Sequence, residues 1–269
     1  MEFDARAMVE KYHRLCEQYV DAHVPDVNIA RGETRYAKEP DASGLDALYS
    51  RFLYPHIREK KYLFSKEHKS LPKNAQKGAY SELVYDTEGR LHHAEFDLGQ
   101  PGSMADYLLD SVGSFMAYFY VSDNLRIDYN VQRRANGELF FSRCNFEWSE
   151  YDGDGRLVSV ESFQRNGTLH DGVIIDAEYY SYENGVLRHI TRFEEFDTDP
   201  MPRMLTLMQR MVPDIIINPK RSEFELCQCE SGVVCKWTNF YRKSQNITGE
   251  FLIPAENAGK LTEHGIPLL

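Results

Sequence analysis

In "SEYDGDGRLVSVESF", residues 149–163, Glu150, Asp152, Asp154, Gly155 and Glu161 fall at positions 1, 3, 5, 6 and 12 of a twelve-residue calcium loop. Carboxylates at that spacing can wrap a hard cation, the glycine permits the sharp turn, and Leu157 supplies the usual apolar position 8. Two features oppose the metal. A glutamate at position 1 is one methylene too long and displaces the ion from its cradle. The flanks, "FFSRCNFEW" and "LVSVESF", are rich in aromatics and valine, so they read as strands where such a loop needs helices. The expectation is a β-hairpin turn that binds no calcium.

A second cluster is "CQCESGVVC", with Cys227, Cys229 and Cys235. A three-residue turn at 230–232 would set Cys235 opposite Cys227 with Cys229 on the same face, the beginning of a zinc site. A two-residue turn would send Cys235 to the other face. A structural zinc site needs a fourth ligand, and no second cysteine pair or His-x-x-x-His accompanies these, so free thiols and folding without zinc are expected. His92 and His93 are adjacent on a strand and point to opposite faces, and the other histidines are scattered. Met201, Met204, Met208 and Met211 share a helical side and read as core. Phosphate-loop, dinucleotide, zinc-protease and nucleophile-elbow motifs are missing, which lowers the expectation of an enzyme. No cofactor is expected.

Charge is the remaining chemical signal. The chain has 269 residues and a formal net charge of −11, which argues against nucleic acid as a partner. From Asn145 to Asp199 there are thirteen acids against four bases, and from Arg51 to Lys77 eight bases against two acids. The cluster Glu194, Glu195, Asp197 and Asp199 is the candidate docking site for a basic protein. At 42% hydrophobic the chain can build a core, yet no window approaches the roughly 18 apolar residues of a membrane span. The N-terminus "MEFDARAMVEKYHRLCEQYV" has no secretory pattern, and the cysteine count is odd, at five. A cytoplasmic location with reduced thiols is therefore expected.

The elements that must position these residues follow from periodicity. Residues 4–22 read as an amphipathic helix with Met8, Tyr12, Leu15 and Tyr19 on one side, a second helix begins near Ser43, and residues 58–77 read as a basic exposed connection. Residues 79–98 read as two strands around a turn at Thr87–Arg90, and residues 102–116 as a helix capped by Ser103. From 117 to 196 the period is two, with turns at Asn136-Gly137, Asp154-Gly155, Asn166-Gly167 and Asn184-Gly185, each followed two residues later by leucine. A short helix at 200–211 and a hairpin at 222–242 follow, and the tail from Ala255 shows no clear period.

"YDTEGRL" at 85–91 and "YDGDGRL" at 151–157 share Tyr-Asp-x-x-Gly-Arg-Leu, and "YENGVL" at 182–187 is a shorter relative. These resemble the YD repeats of Rhs-type bacterial shell proteins. The resemblance implies a hairpin whose tyrosine and leucine pack in the sheet while the glycine turns the chain. The expected fold is α+β: a curved antiparallel β-meander of hairpins with helices packed on one face. A helix-rich part over 1–116 with one hairpin and a meander over 117–269 are expected, or one continuous domain. The leading functional expectation is a soluble acidic protein-binding or neutralising module of the immunity or antitoxin kind. The alternatives are an enzyme or small-ligand binder using a pocket in the sheet, and a structural hairpin-repeat component.

Overall fold

The computed structural model describes residues 3–21, 32–38, 66–75, 80–96, 111–166, 173–196, 210–214, 216, 219–263 and 266–269. The expected helix near Ser43, the turn at Asn166-Gly167 and most of the helix at 200–211 lie outside the described residues. The chain is mostly antiparallel β-sheet with a helix near each end, and it divides into two compact units. One comprises Met1–Glu17, Phe146–Arg165 and Leu169–Leu269, and the other Gln18–Asn145 with Asn166–Thr168.

In the second of these units β1 (Thr34–Lys38) pairs with β2 (Glu67–His68) on one side and β3 (Tyr80–Tyr85) on the other. The ladder continues through β4 (Leu91–Phe96), β5 (Ser111–Tyr120) and β6 (Leu125–Arg134), always antiparallel. Ala37, Leu83, Leu91 and Ala94 form one core cluster, with Tyr85 packed against it. On β6, Leu125, Ile127, Tyr129 and Val131 are buried as their alternation predicts. Their polar neighbours Arg126 and Asp128 are buried as well and form a two-pronged ion pair at 2.6 and 3.1 Å through the Arg126 Nε and Nη2.

The helix expected over 102–116 is corrected by β5. Residues 111–120 pair with β6 and Ser114–Ala117 pair with β4 as well, and this pairing overrides the helical spacing of the apolar residues. Residues 103–110 lie outside the described residues.

In the first unit, α1 (Ala5–Cys16) begins at Asp4, whose carboxylate accepts the Ala7 amide at 3.1 Å as an N-cap. Met8, Tyr12, Leu15 and Cys16 are buried. The helix ends in a wider turn over Glu17–Asp21. Tyr12 packs its ring edge-on against Phe146 of β7 (Leu139–Tyr151) and stacks on Phe163 of β8 (Leu157–Asn166). Lys11 lies over the Trp148 ring and bonds Glu161 at 2.6 Å. The ladder then runs through β9 (Val173–Glu183), β10 (Val186–Phe196), β11 (Lys220–Cys229), β12 (Gly232–Asn239) and β13 (Ile247–Pro254).

The tail from Ala255 has more order than its sequence suggested. It forms α2 (Ala255–Glu263), with Ala258 and Leu261 buried, and Ile266 and Leu268 are buried beyond it. The Pro267 carbonyl accepts the Leu187 amide at 2.7 Å. A nine-residue helix with two buried side chains carries too few periodic positions to stand out in the sequence.

Candidate functional site

The Tyr-Asp-x-x-Gly-Arg-Leu segments close their turns identically. In each, the glycine amide donates to the aspartate carbonyl, and the aspartate amide donates to the arginine carbonyl. Gly89 and Gly155 sit at φ +79° and +76°, the left-handed region where glycine is at home. The Asp86 carboxylate accepts the Glu88 and Arg90 amides and the Arg90 Nε, each at 2.9 Å. Asp152 accepts the Asp154 and Arg156 amides at 2.9 Å and the Arg156 Nε at 2.8 Å. These bonds hold both carboxyls below their ordinary range. For Asp152 the Arg156 amide is the main cause, and for Asp86 opposing burial is outweighed by its three bonds.

The four calcium candidates are thus engaged elsewhere. Asp152 is spent on the turn, Asp154 pairs with Arg156, Glu150 accepts the Ser159 hydroxyl, and Glu161 holds Lys11. The flanks are strands β7 and β8.

The cysteine hairpin has a two-residue turn, because Cys229 pairs with Gly232. In this register Cys227 faces Val234 and Cys235 faces Leu226, so Cys235 lies on the sheet face opposite Cys227 and Cys229. Cys235 is buried, Cys227 half-buried and Cys229 exposed. Burial pushes the Cys235 thiol up to about 12, while the Ser231 hydroxyl bond draws the Cys229 thiol down.

Of the proposed docking acids, Glu194 on β10 bonds Lys220 at 2.7 Å, and Glu195 is half-buried beside Phe3, Asp4 and Pro219, its carboxyl raised by burial. Asp197 and Asp199 lie outside the described residues.

Glu194 belongs to a polar network that the sequence reading did not isolate. On β9, Asp176, Glu178 and Tyr180 share one face, and on β10 Arg192 lies directly across from Glu178. Arg192 reaches Asp176 at 3.3 Å and Glu178 at 3.7 Å, and the Tyr180 hydroxyl donates to Glu178 at 2.5 Å. Glu178 is 3% exposed. Burial, then the Glu178 charge, raises the Tyr180 hydroxyl far above its ordinary value. For Arg192 burial acts downward, but the Glu178 and Asp176 charges outweigh it and keep the guanidinium charged. Asp176 and Glu178 counted as surface acids in the sequence, because period two on β9 does not reveal that both faces are covered.

The face opposite the network is open only farther along, at the Glu183 end of β9 and across β10–β12. A groove there, of about 790 Å³, is lined by Glu183, Arg188, His189, Glu223, Glu225, Cys227 and Lys236. Register builds it in rows: His189, Glu225 and Lys236 lie abreast, and so do Thr191, Glu223 and Thr238. A bulge between Leu187 and His189 inserts Arg188, which donates to the Leu226 carbonyl and to Gln228. Glu225 is exposed at the middle of its row, and Glu223 is bonded by Arg221. A thiol, an imidazole and a carboxylate are therefore neighbours. The Cys227 thiol donates to Glu225 at 3.9 Å, however, so its proton is directed to a weakly basic carboxylate and not to the more basic imidazole that would activate it. The arrangement suits ligand contact better than nucleophilic catalysis.

Compared with protein-family models, curated proteins and solved structures, the chain matches none of them.

Proposed function

We propose that this chain is a protein-binding or neutralising module, of the immunity or antitoxin kind, that docks a basic polypeptide on the open face of β9–β12. The observation that carries this reading is the convergence of Glu183, Glu223 and Glu225 on one groove, with cross-strand threonines and His189 beside them to make hydrogen bonds. Glu183 and Glu225 are exposed, so approach costs them little desolvation, and Glu223 is paired only with the exposed Arg221, while Glu194 is paired with the part-buried Lys220. The docking acids are accordingly moved from the 194–199 cluster to the groove. The frame beneath is read as a curved antiparallel meander with helices packed on one face, its hairpins related to Rhs-type YD repeats. The shared turn geometry of residues 85–91 and 151–157 supports that relation. A cytoplasmic setting fits five cysteines that are all thiols. No helix among the described residues is long and apolar enough to cross a membrane.

The test is retention on an array of peptides graded from acidic to basic net charge. The reading predicts retention of basic peptides, weakened by salt and lost in a Glu183→Gln, Glu223→Gln, Glu225→Gln variant. Retention independent of peptide charge, or unchanged in the variant, would contradict it.

A further inference from the structure

We propose that Cys227 and Cys229 form a two-thiolate site for a soft monovalent metal cation of the Cu(I) type. Cys227 also lines the carboxylate groove, but the metal site does not depend on the docking reading.

Cys227 and Cys229 both lie on β11. Residues two apart on a strand point to the same face, with their β-carbons about 6.6 Å apart. A metal–thiolate bond is near 2.3 Å, so a linear sulfur–metal–sulfur unit spans about 4.6 Å. In the structure Cys227 Sγ contacts Glu225 at 3.9 Å and Cys229 Sγ contacts Ser231 at 3.4 Å, outward neighbours of the pair, so both thiols must turn inward along the strand to close on one ion, a direction strand rotamers allow. Cys229 is exposed and Cys227 half-buried, so a cation can enter without unfolding the hairpin. The Ser231 hydroxyl lies 3.4 Å from the Cys229 sulfur and can donate to the thiolate.

The same register selects the metal. Cys235 is on the opposite face, across from Leu226 and 2% exposed, so it cannot join. Among the described residues no group of three or more histidine, cysteine, aspartate or glutamate side chains is placed to hold a metal. Zinc requires four ligands in a structural site and gains little from two. Soft thiolates favour Cu(I), for which two sulfurs suffice. On binding, each thiol releases one proton to solvent and two metal–sulfur bonds form. The metal stays in its +1 state, so no oxidant or reductant is consumed. The site passes from neutral to a net charge of −1, which Arg188 and Lys236, lining the groove with Cys227, offset.

The experiment is an anaerobic titration of the reduced full-length chain with Cu(I) held by the chromophoric chelator bicinchoninate. The expected result is one Cu(I) per chain withdrawn from the chelator, with two sulfur neighbours by X-ray absorption. Cys227→Ser and Cys229→Ser should each weaken retention at least about tenfold. Cys235→Ser, with its fold checked by circular dichroism, should retain the metal as the parent does. Failure of the parent chain to withdraw Cu(I), retention by the Cys227→Ser, Cys229→Ser double variant, or a third sulfur supplied by Cys235 would each overturn the proposal. Peptide binding by the groove is read separately, so failure here leaves that reading untouched.

Discussion

Replacing Gly249 by alanine tests the frame that carries both the groove and the thiol pair. Gly249 lies directly opposite Trp237 in the β12–β13 ladder. A β-carbon built there would stand 2.4 Å from Trp237 Cζ2 and 2.6 Å from Cε2. Carbon atoms rest at about 3.5–4.0 Å, so the overlap exceeds an ångström, and either the indole rotates away or β13 shifts. Overpacking of this size costs about 1–3 kcal/mol. Without the indole, alanine should be the better strand residue by about 0.5–1 kcal/mol, because glycine loses more freedom on folding. The two expectations combine to a coupling of about 1.5–4 kcal/mol in a double-mutant cycle with Trp237→Ala. Urea unfolding followed by circular dichroism gives all four stabilities by linear extrapolation. Gly249→Ala changing stability by less than about 0.5 kcal/mol in both backgrounds would refute the β12–β13 register that sets Gly249 against Trp237.

Three further outcomes follow from the side-chain networks. Arg192→Leu strips Glu178 of its cation while Glu178 stays buried, so unfolding in urea should show a loss of about 3–5 kcal/mol. In the native protein at mildly alkaline pH, mass spectrometry after brief alkylation should find Cys229 modified first and Cys235 unmodified. The thiol of Cys235 ordinarily titrates at 9.0 and burial raises it to about 12, so the stability linked to it is intact below the lower value and lost as pH rises toward the higher. Cys235→Val should remove that part of the alkaline loss. Calorimetry with millimolar calcium should show no saturable heat, because Asp152 already accepts three bonds from its own turn.

Turn chemistry was the most legible part of the sequence, since a positive φ is a local demand. Gly89, Gly137, Gly155 and Gly185 all lie in that region, and Leu91, Leu157 and Leu187 are buried behind their turns. Leu139, which follows Gly137 in the same way, is 36% exposed, so the pattern marks the turn more firmly than the packing. Where helical and strand spacing coincide, local pattern was insufficient. Residues 111–115 fitted a helix until pairing with β6, joined from Ser114 by β4, made them strand. Met211 was read as core and is 74% exposed. The cysteine question turned on one residue of loop length, which "CQCESGVVC" leaves open and the Cys229–Gly232 pairing decides. The groove was illegible for a different reason. Glu183, His189, Glu225 and Lys236 come from four strands, and only the register brings them together.

Zero-length carbodiimide coupling reads the proposed docking surface most directly, since it joins a carboxylate only to an amine already in contact with it. The protein would be coupled to a lysine-rich peptide selected from the array, then digested and sequenced by mass spectrometry. The account predicts cross-links at Glu183, Glu223 and Glu225, reduced by salt before coupling. Cross-links confined to Glu194, Glu195, Asp197 and Asp199, or spread evenly over the acids of the chain, would contradict it.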